Sequence, residues 1–253
     1  MGARMRIAIL GTGTSNHHKL DPFTEIKLKP SFRKASLNMK MGYQSIREAC
    51  RNFSHLDECG FVLGTSYGEI ENTKEFLKNF ATTGVARPIL FQSSLHNGTL
   101  GFLALELSIF GPTFTVSQHH FTGEHALSLG IDLIRGGLVP ACLVTTVDIM
   151  SPALLSILER MYPPHLKWKD GAASFIISTE TKAKEWGIKP LAFLDSVECM
   201  PDAKIPPEVN IGEFNDSNAL ELLSRVIQEK LGELILQKPD RSFSRITWSH
   251  VTT

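Results

Sequence analysis

The chain has 253 residues, 42% of them hydrophobic, enough for a packed core, and its 26 Lys plus Arg balance 26 Asp plus Glu. That balance excludes the broad positive field by which a protein gathers nucleic acid or an anionic membrane surface. The four cysteines, Cys50, Cys59, Cys142 and Cys199, form no CxxC pair and no His/Cys metal spacing, so they read as reduced thiols with neither metal nor cofactor expected.

The first segment, MGARMRIAILGTGTS, has an apolar stretch too short to cross a bilayer, and no apolar run of about 18 residues occurs anywhere in the sequence. A cytoplasmic protein is expected, and MGARMR lacks the Ser or Thr of a myristoylation signal. RIAIL reads as a strand, and GTGTS as the Gly-rich turn that ends it; GTGTSN lacks the third glycine of a dinucleotide fingerprint. Residues 19 to 40 mix Pro, Lys and Ser without a clean period and read as a long surface loop. This loop carries the one local excess of charge, Lys27, Lys29, Arg33, Lys34 and Lys40. His17 and His18 fall in a surface turn.

Helical spacing from Tyr43 to Phe53 leads into a glycine-bounded apolar strand, Gly60 to Gly68, and then into an amphipathic helix from Glu69 to Phe80 whose apolar stripe is Ile70, Thr73, Phe76, Leu77 and Phe80. Residues 93 to 111 keep a helical period, with Gly98, Gly101 and Ala104 as small residues for close packing, so a buried helix is expected there. PTFTVS is a strand, Thr122 to Arg135 a helix stopped by Gly136-Gly137, and Ala141 to Val147 another buried strand. Gly171 to Thr179 and Pro190 to Val197 read as strands on either side of a charged helix, Glu180 to Trp186. Residues 199 to 213 read as loop, Ala219 to Leu236 as a helix and Arg245 to Val251 as a closing strand. This alternation predicts an α/β fold with a mixed, largely parallel sheet of five strands and helices on both faces, in one domain over residues 1–253 with 199–253 as a C-terminal helix and strand extension.

The ordered series RIAILGTGTS, FVLGTSYGE, FQSSLHNGTLGFLALELSIFGPTFTVS and WKDGAASFIISTETKAKEWGIKPLAFL resembles the N-terminal half of a β-ketoacyl synthase, a condensing enzyme of the thiolase superfamily, over roughly residues 5 to 197. The resemblance implies a thiolase-like half-fold. In that family a cysteine follows TVS at the N-terminus of a buried helix, where the dipole and main-chain N–H groups favour thiolate and oxyanion. Here the segment reads Thr115, Val116, Ser117, Gln118, His119, His120, Phe121, Thr122, Gly123, and His120 falls on the cysteine. An imidazole there forms at best a labile acyl-imidazole, so no condensing activity is expected. His250 falls where the family's first catalytic histidine would lie, and the second has no counterpart.

Ser117, Gln118, His119, His120, Phe121 and Gly123 are therefore the expected pseudo-active site, with His119, His120 and His250 the candidates should the chain be active and His96 and Asn97 candidate interface residues. The apolar residues Ala126, Leu127, Leu129, Leu133 and Ile134 of the following helix need a cover, from the Ala219 to Leu236 helix or from a partner. Short proteins of this kind look like the chain-length-factor subunits of fatty acid, aryl-polyene and polyketide systems. The resemblance thus implies a non-catalytic subunit that pairs with a complete β-ketoacyl synthase and meets an acyl carrier protein through the basic loop.

Two alternatives stand beside it. One is an acyl-thioester hydrolase or malonyl decarboxylase using His119 or His120 as a base, with Ser66 or Ser117 and Asp148 as conceivable triad partners; the other is a homodimer of half-folds. Gln118 is a candidate to bind a thioester carbonyl. For metal, Glu124 is the only ligand type three or four residues from His119 or His120.

Overall fold

In the computed structural model, which describes residues 5–16, 29–162, 164, 167–200, 213–214, 218–228, 232–240 and 242–251, the opening apolar run does not stop at its first glycine. Strand β1 (Ile7–Ser15) continues through GTGTS, where a turn was expected. The reason lies in helix α1 (Leu37–Ala49), which crosses β1 so closely that a Cβ on Gly11 would sit 2.1 Å from the Ala49 carbonyl oxygen and one on Gly13 2.2 Å from that of Ser45. The glycines serve a close backbone approach rather than a reversal of the chain. Neither neighbour is a flexible side chain, so Gly13→Ala is expected to cost about 1–3 kcal/mol, read as a lowered urea midpoint.

Helix α1 starts earlier than its apolar period suggested. Ser36 caps it, its hydroxyl accepting from the Met39 N–H at 3.1 Å. The preceding 3-10 turn (Pro30–Lys34) buries Phe32 against the edges of Tyr43 and Phe102, so the end of the expected surface loop is anchored in the core. His17, His18 and Lys27 lie outside the described residues.

The chain continues as β2 (Cys59–Gly64), α2 (Ile70–Thr83), α3 (Pro88–Ser94), α4 (Gly98–Glu106), β3 (Thr113–Val116), α5 (Thr122–Arg135), β4 (Ala141–Asp148), α6 (Pro152–Met161), β5 (Lys167–Trp168), β6 (Gly171–Thr179), α7 (Glu180–Glu185), β7 (Ala192–Met200), β8 (Glu213–Phe214), α8 (Asn218–Gln228), β9 (Glu233–Gln237) and β10 (Phe243–His250). The expected helix over 93–111 is two: Leu95, His96 and Asn97 separate α3 from α4. The expected helix over 219–236 ends at Gln228, and ELILQ beyond it is strand β9. Of the expected loop over 199–213, Cys199 and Met200 belong to β7, and 201–212 lie outside the described residues.

Among the described residues eight strands form one mixed sheet in the order β3-β2-β4-β6-β1-β7-β10-β9, three more than expected. It is mostly antiparallel: only β2 runs parallel to its neighbours β3 and β4, whereas β4–β6, β6–β1, β1–β7, β7–β10 and β10–β9 are antiparallel. Strand alternation sends Ala8, Leu10, Phe61, Leu63, Leu143 and Ile176 into one core, under α1 and α4, and Ile7, Ile9, Val62, Val144, Phe175 and Ile177 into the other, under α5 and α8. Helices thus cover both faces.

The apolar side of α5 is covered within the chain. Ala126, Leu127, Ile131, Leu133 and Ile134 share a core with Ala219, Leu220, Leu223 and Ile227 of α8. Strand β7 runs along the same helix, its residues Leu194 to Val197 facing Ser128, Ile131, Asp132 and Arg135 across a small cavity. Of the two covers the sequence allowed, the C-terminal segment supplies one, as a helix with two long strands rather than a helix with one.

Candidate functional site

Strands β2 and β3 end side by side, and α5 begins directly above them. Between β3 and α5 the residues His119–Phe121 make one 3-10 turn, with His119 at φ 44, in the left-handed region. A non-glycine residue there costs roughly 1–2 kcal/mol, so the turn must be held from outside. It is: the Thr122 hydroxyl donates to the His119 carbonyl at 2.7 Å and accepts from the Gln118 N–H at 3.0 Å, and the Ser66 hydroxyl donates to the same carbonyl at 3.1 Å. Asp148, at the end of β4, fixes Ser66 in turn by accepting from the N–H groups of Ser66 and Tyr67 and from the Thr65 hydroxyl.

This bent turn sends the two histidines apart. His119, Ser117 and Gln118 are exposed, Phe121 is half-buried, and His120 and Gly123 are buried, His120 with 7% of its surface accessible. The His120 Nε2 lies 3.2 Å from the Tyr162 hydroxyl, and the two rings meet edge to face. Tyr162 in turn packs on Trp168, within a small cluster that includes Met150, Leu154, Leu158 and Tyr67. On the other side is the hairpin between β9 and β10. There burial opposes the charge of Asp240, but the Ser242 hydroxyl and N–H, together with His120, hold its carboxyl below the usual range.

Below the histidine, Glu124 in the first turn of α5 is wholly buried. Its Oε1 accepts from Lys238 Nζ at 2.6 Å and from the Ser244 hydroxyl, and the two charged side chains are 1% and 0% accessible. Lys238 also stands 5.5 Å from the Phe121 ring. This pair ties the C-terminal hairpin to the tip that carries His120. The sequence suggests Glu124 only as a metal ligand; among the described residues no group of three or more His, Cys, Asp or Glu is gathered to hold a metal.

The other candidates lie elsewhere. His250 is at the opposite end of β10, paired with Ala192, six residues or about 20 Å of strand from Ser244. The structure does not bring it to the tip of α5. The two candidate nucleophilic serines donate to main-chain carbonyls, Ser66 to His119 and Ser117 to Ser66, and neither is bonded to an imidazole among the described residues. His96 and Asn97 are exposed; the His96 ring lies against Gly68, whose φ of 57 and absent Cβ make room for it, and Asn97 occupies the N-cap of α4 without a side-chain cap bond.

No cysteine is activated. Burial pushes the Cys50 and Cys142 thiols up to about 12 and Cys59 well above its ordinary value. Cys199, opposite Ser244 in the β7–β10 ladder, is pushed up to about 11 by burial and then by the Glu124 charge, with Lys238 acting against this. At neutral pH all four remain protonated and weakly nucleophilic.

No protein-family model matches the chain, and no curated protein matches it in sequence. Solved structures do match. The ishigamide ketosynthase/chain length factor aligns with a TM-score of 0.76 at 16% identity, covering 98% of this chain and 100% of that one. A type II polyketide synthase acyl carrier protein in complex with its hexaketide-bound ketosynthase aligns at 0.74 and 12%, with the same coverage. A ketosynthase in complex with its chain length factor from Xenorhabdus doucetiae aligns at 0.66 and 13%, again covering 98% and 100%. With the sheet, the two helical layers and the strand-to-helix turn at His120 already in place, these alignments give the chain the thiolase-like fold of the ketosynthases and chain length factors.

Proposed function

We propose that this chain is a ketosynthase-like subunit of the chain-length-factor kind, without condensing activity of its own, which pairs with a complete β-ketoacyl synthase that works on carrier-bound acyl chains. The observation that carries this reading is the chemistry at the tip of α5: in a ketosynthase fold the helix presents a buried imidazole, and all four thiols are held protonated. Imidazole can move a proton but cannot hold an acyl chain through a condensation. The Tyr162 ring occupies the space beside it.

Pairing is supported by the outer edge of the sheet. Strand β3 has β2 on one side and, among the described residues, no strand on the other, and next to it Leu105 and Phe110 are 77% and 81% exposed, with Phe114 on the strand itself 41% exposed. The α2–α3 hairpin continues this surface with Leu77, Phe80, Ile89 and Phe91, and no residue of α2 is buried within the chain, although its apolar stripe is as regular as the sequence suggested. An open strand edge and an apolar patch of this extent are features that a subunit interface covers. The expected burial of Gly101 also awaits such a neighbour, since a Cβ there would meet nothing within 4 Å. In the basic segment Arg33 and Lys34 are exposed, suited to an acidic carrier protein, while Lys29 is engaged with Tyr43 at 3.1 Å and Glu106 at 3.4 Å. No described helix is long and apolar enough to cross a membrane.

Co-expression with a complete ketosynthase, followed by sizing and by mass spectrometry of carrier-bound products, tests the reading. A heterodimer is expected whose condensation rate changes less than about threefold in His120→Ala, since an imidazole with no covalent role contributes little to the barrier. Loss of condensation with the complex intact would assign His120 a chemical role. Hydrolysis or decarboxylation of acyl or malonyl carrier protein by the chain alone would favour the rival enzyme, and self-association in place of the heterodimer would favour paired half-folds.

A further inference from the structure

Between the 3-10 turn (Pro30–Lys34), α3 and α4 runs a groove of about 440 Å³, within the range of small-molecule sites. Helix α4 turns Gly98, Gly101, Phe102 and Leu105 toward it, the i, i+3, i+4, i+7 stripe of one helical face. Two of these four carry no side chain, and a Cβ on Gly101 would meet nothing within 4 Å. Met39 and Ile89 add further apolar lining. Ile89 and Leu105 are exposed, so the groove leaves apolar surface in water that an occupant would cover.

The polar lining decides the sign of that occupant. Ser31, Gln92 and Asn97 are neutral and exposed and can donate or accept, and the Ser93 hydroxyl already donates to the Ile89 carbonyl at 2.9 Å. Lys34 is the one charged side chain among the described residues that line the groove, and it enters no ion pair among the described residues. A cationic amphiphile is repelled there, and a single ammonium matches one negative charge rather than two. Helices α3 and α4 have 7 and 9 residues, so the walls run about 10 and 13 Å, lengths that suit a hydrocarbon chain of medium size.

We propose that this groove binds a single-chain aliphatic carboxylate, its head group at Lys34 and its methylenes over Gly98 and Gly101 against Met39, Ile89 and Phe102. Affinity comes mainly from the apolar surface removed from water; the exposed ion pair adds less and sets the sign of the ligand. None of the described lining residues belongs to the tip of α5, so the site is separate from His120 and does not depend on the chain pairing with a ketosynthase. Ile89 and Leu105 also lie on the surface assigned above to that partner, which makes the isolated chain the form to test.

Calorimetry and thermal unfolding of the isolated full chain with sodium octanoate, octylammonium chloride and sodium chloride at matched ionic strength provide the test. Octanoate is expected to bind saturably and to raise Tm by mass action, with octylammonium at least about threefold weaker, the difference that one exposed ion pair makes. Lys34→Glu, at an exposed position, should reverse that order. Gly101→Leu gives α4 a better helix former whose Cβ clashes with nothing, so the variant should fold, and its side chain should weaken octanoate at least about tenfold by filling the groove. No saturable octanoate binding at about 10 mM, equal binding of the two amphiphiles, or undiminished binding in Gly101→Leu overturns the proposal; the first of these would leave the groove to an acidic protein segment.

Discussion

Lys238→Met should lower the stability of the chain by about 3–5 kcal/mol, because it strips the counter-charge from a carboxylate with no access to water. Glu124 is wholly buried, its Oε1 is held by Lys238 and Ser244, and its Oε2 has no hydrogen-bond partner among the described residues. With the ammonium gone, one hydroxyl must support the whole charge. The pair itself need not be strongly stabilising: two ions taken from water repay the desolvation only through good geometry. Glu124→Leu combined with Lys238→Met is therefore expected to recover most of the loss, and urea unfolding of the two single variants and the double variant gives the coupling directly. A loss under about 1 kcal/mol in Lys238→Met would mean that water reaches Glu124, and the tie between hairpin and helix tip would then count for little.

The second large effect concerns assembly. Phe110→Glu with Phe114→Glu places two charges on the exposed edge beside β3. Each removed aromatic is expected to contribute about 2 kcal/mol to a subunit interface, so the double change should weaken pairing with the proposed ketosynthase partner roughly a thousandfold. The isolated chain should keep its stability to within about 1 kcal/mol, since in the single chain Phe110 is 81% and Phe114 41% exposed. Sedimentation of mixtures together with unfolding of the single chain separates these outcomes. A complex that survives the double substitution would place the partner on another surface.

Much of the architecture could be read from residue patterns. Strands β2, β4 and β6 are short apolar runs set between turn residues, and α5 shows an apolar period ended by Gly136 and Gly137. What failed has physical reasons. GTGTS read as a turn because glycine frees the backbone, but here glycine is needed to admit α1, and a contact with a helix 30 residues away leaves no local trace. ELILQ fits a helix or a strand equally well, as short apolar runs do. Strand direction is carried by no pattern at all, so the antiparallel insertion of β1 between β6 and β7 stayed hidden.

At the site, the order of motifs led to His120, and helix-tip chemistry followed from it. Tyr162, Asp240, Lys238 and Ser244 were missed, since they reach the tip of α5 from distant segments; Lys238 is 114 residues from Glu124. One signal was present: a glutamate set among Thr122, Gly123, Ala126 and Leu127, all buried, asks for a cation, and the lysine that follows ELILQ supplies it.

The position of β1 also bears on how the chain comes off the ribosome. Ile7 finds its sheet partners at Thr179 and Leu194, so β1 must wait for both neighbours until the chain has been translated through Leu194. Contacts of such long sequence separation slow acquisition of the native state and leave apolar segments open to chaperones meanwhile.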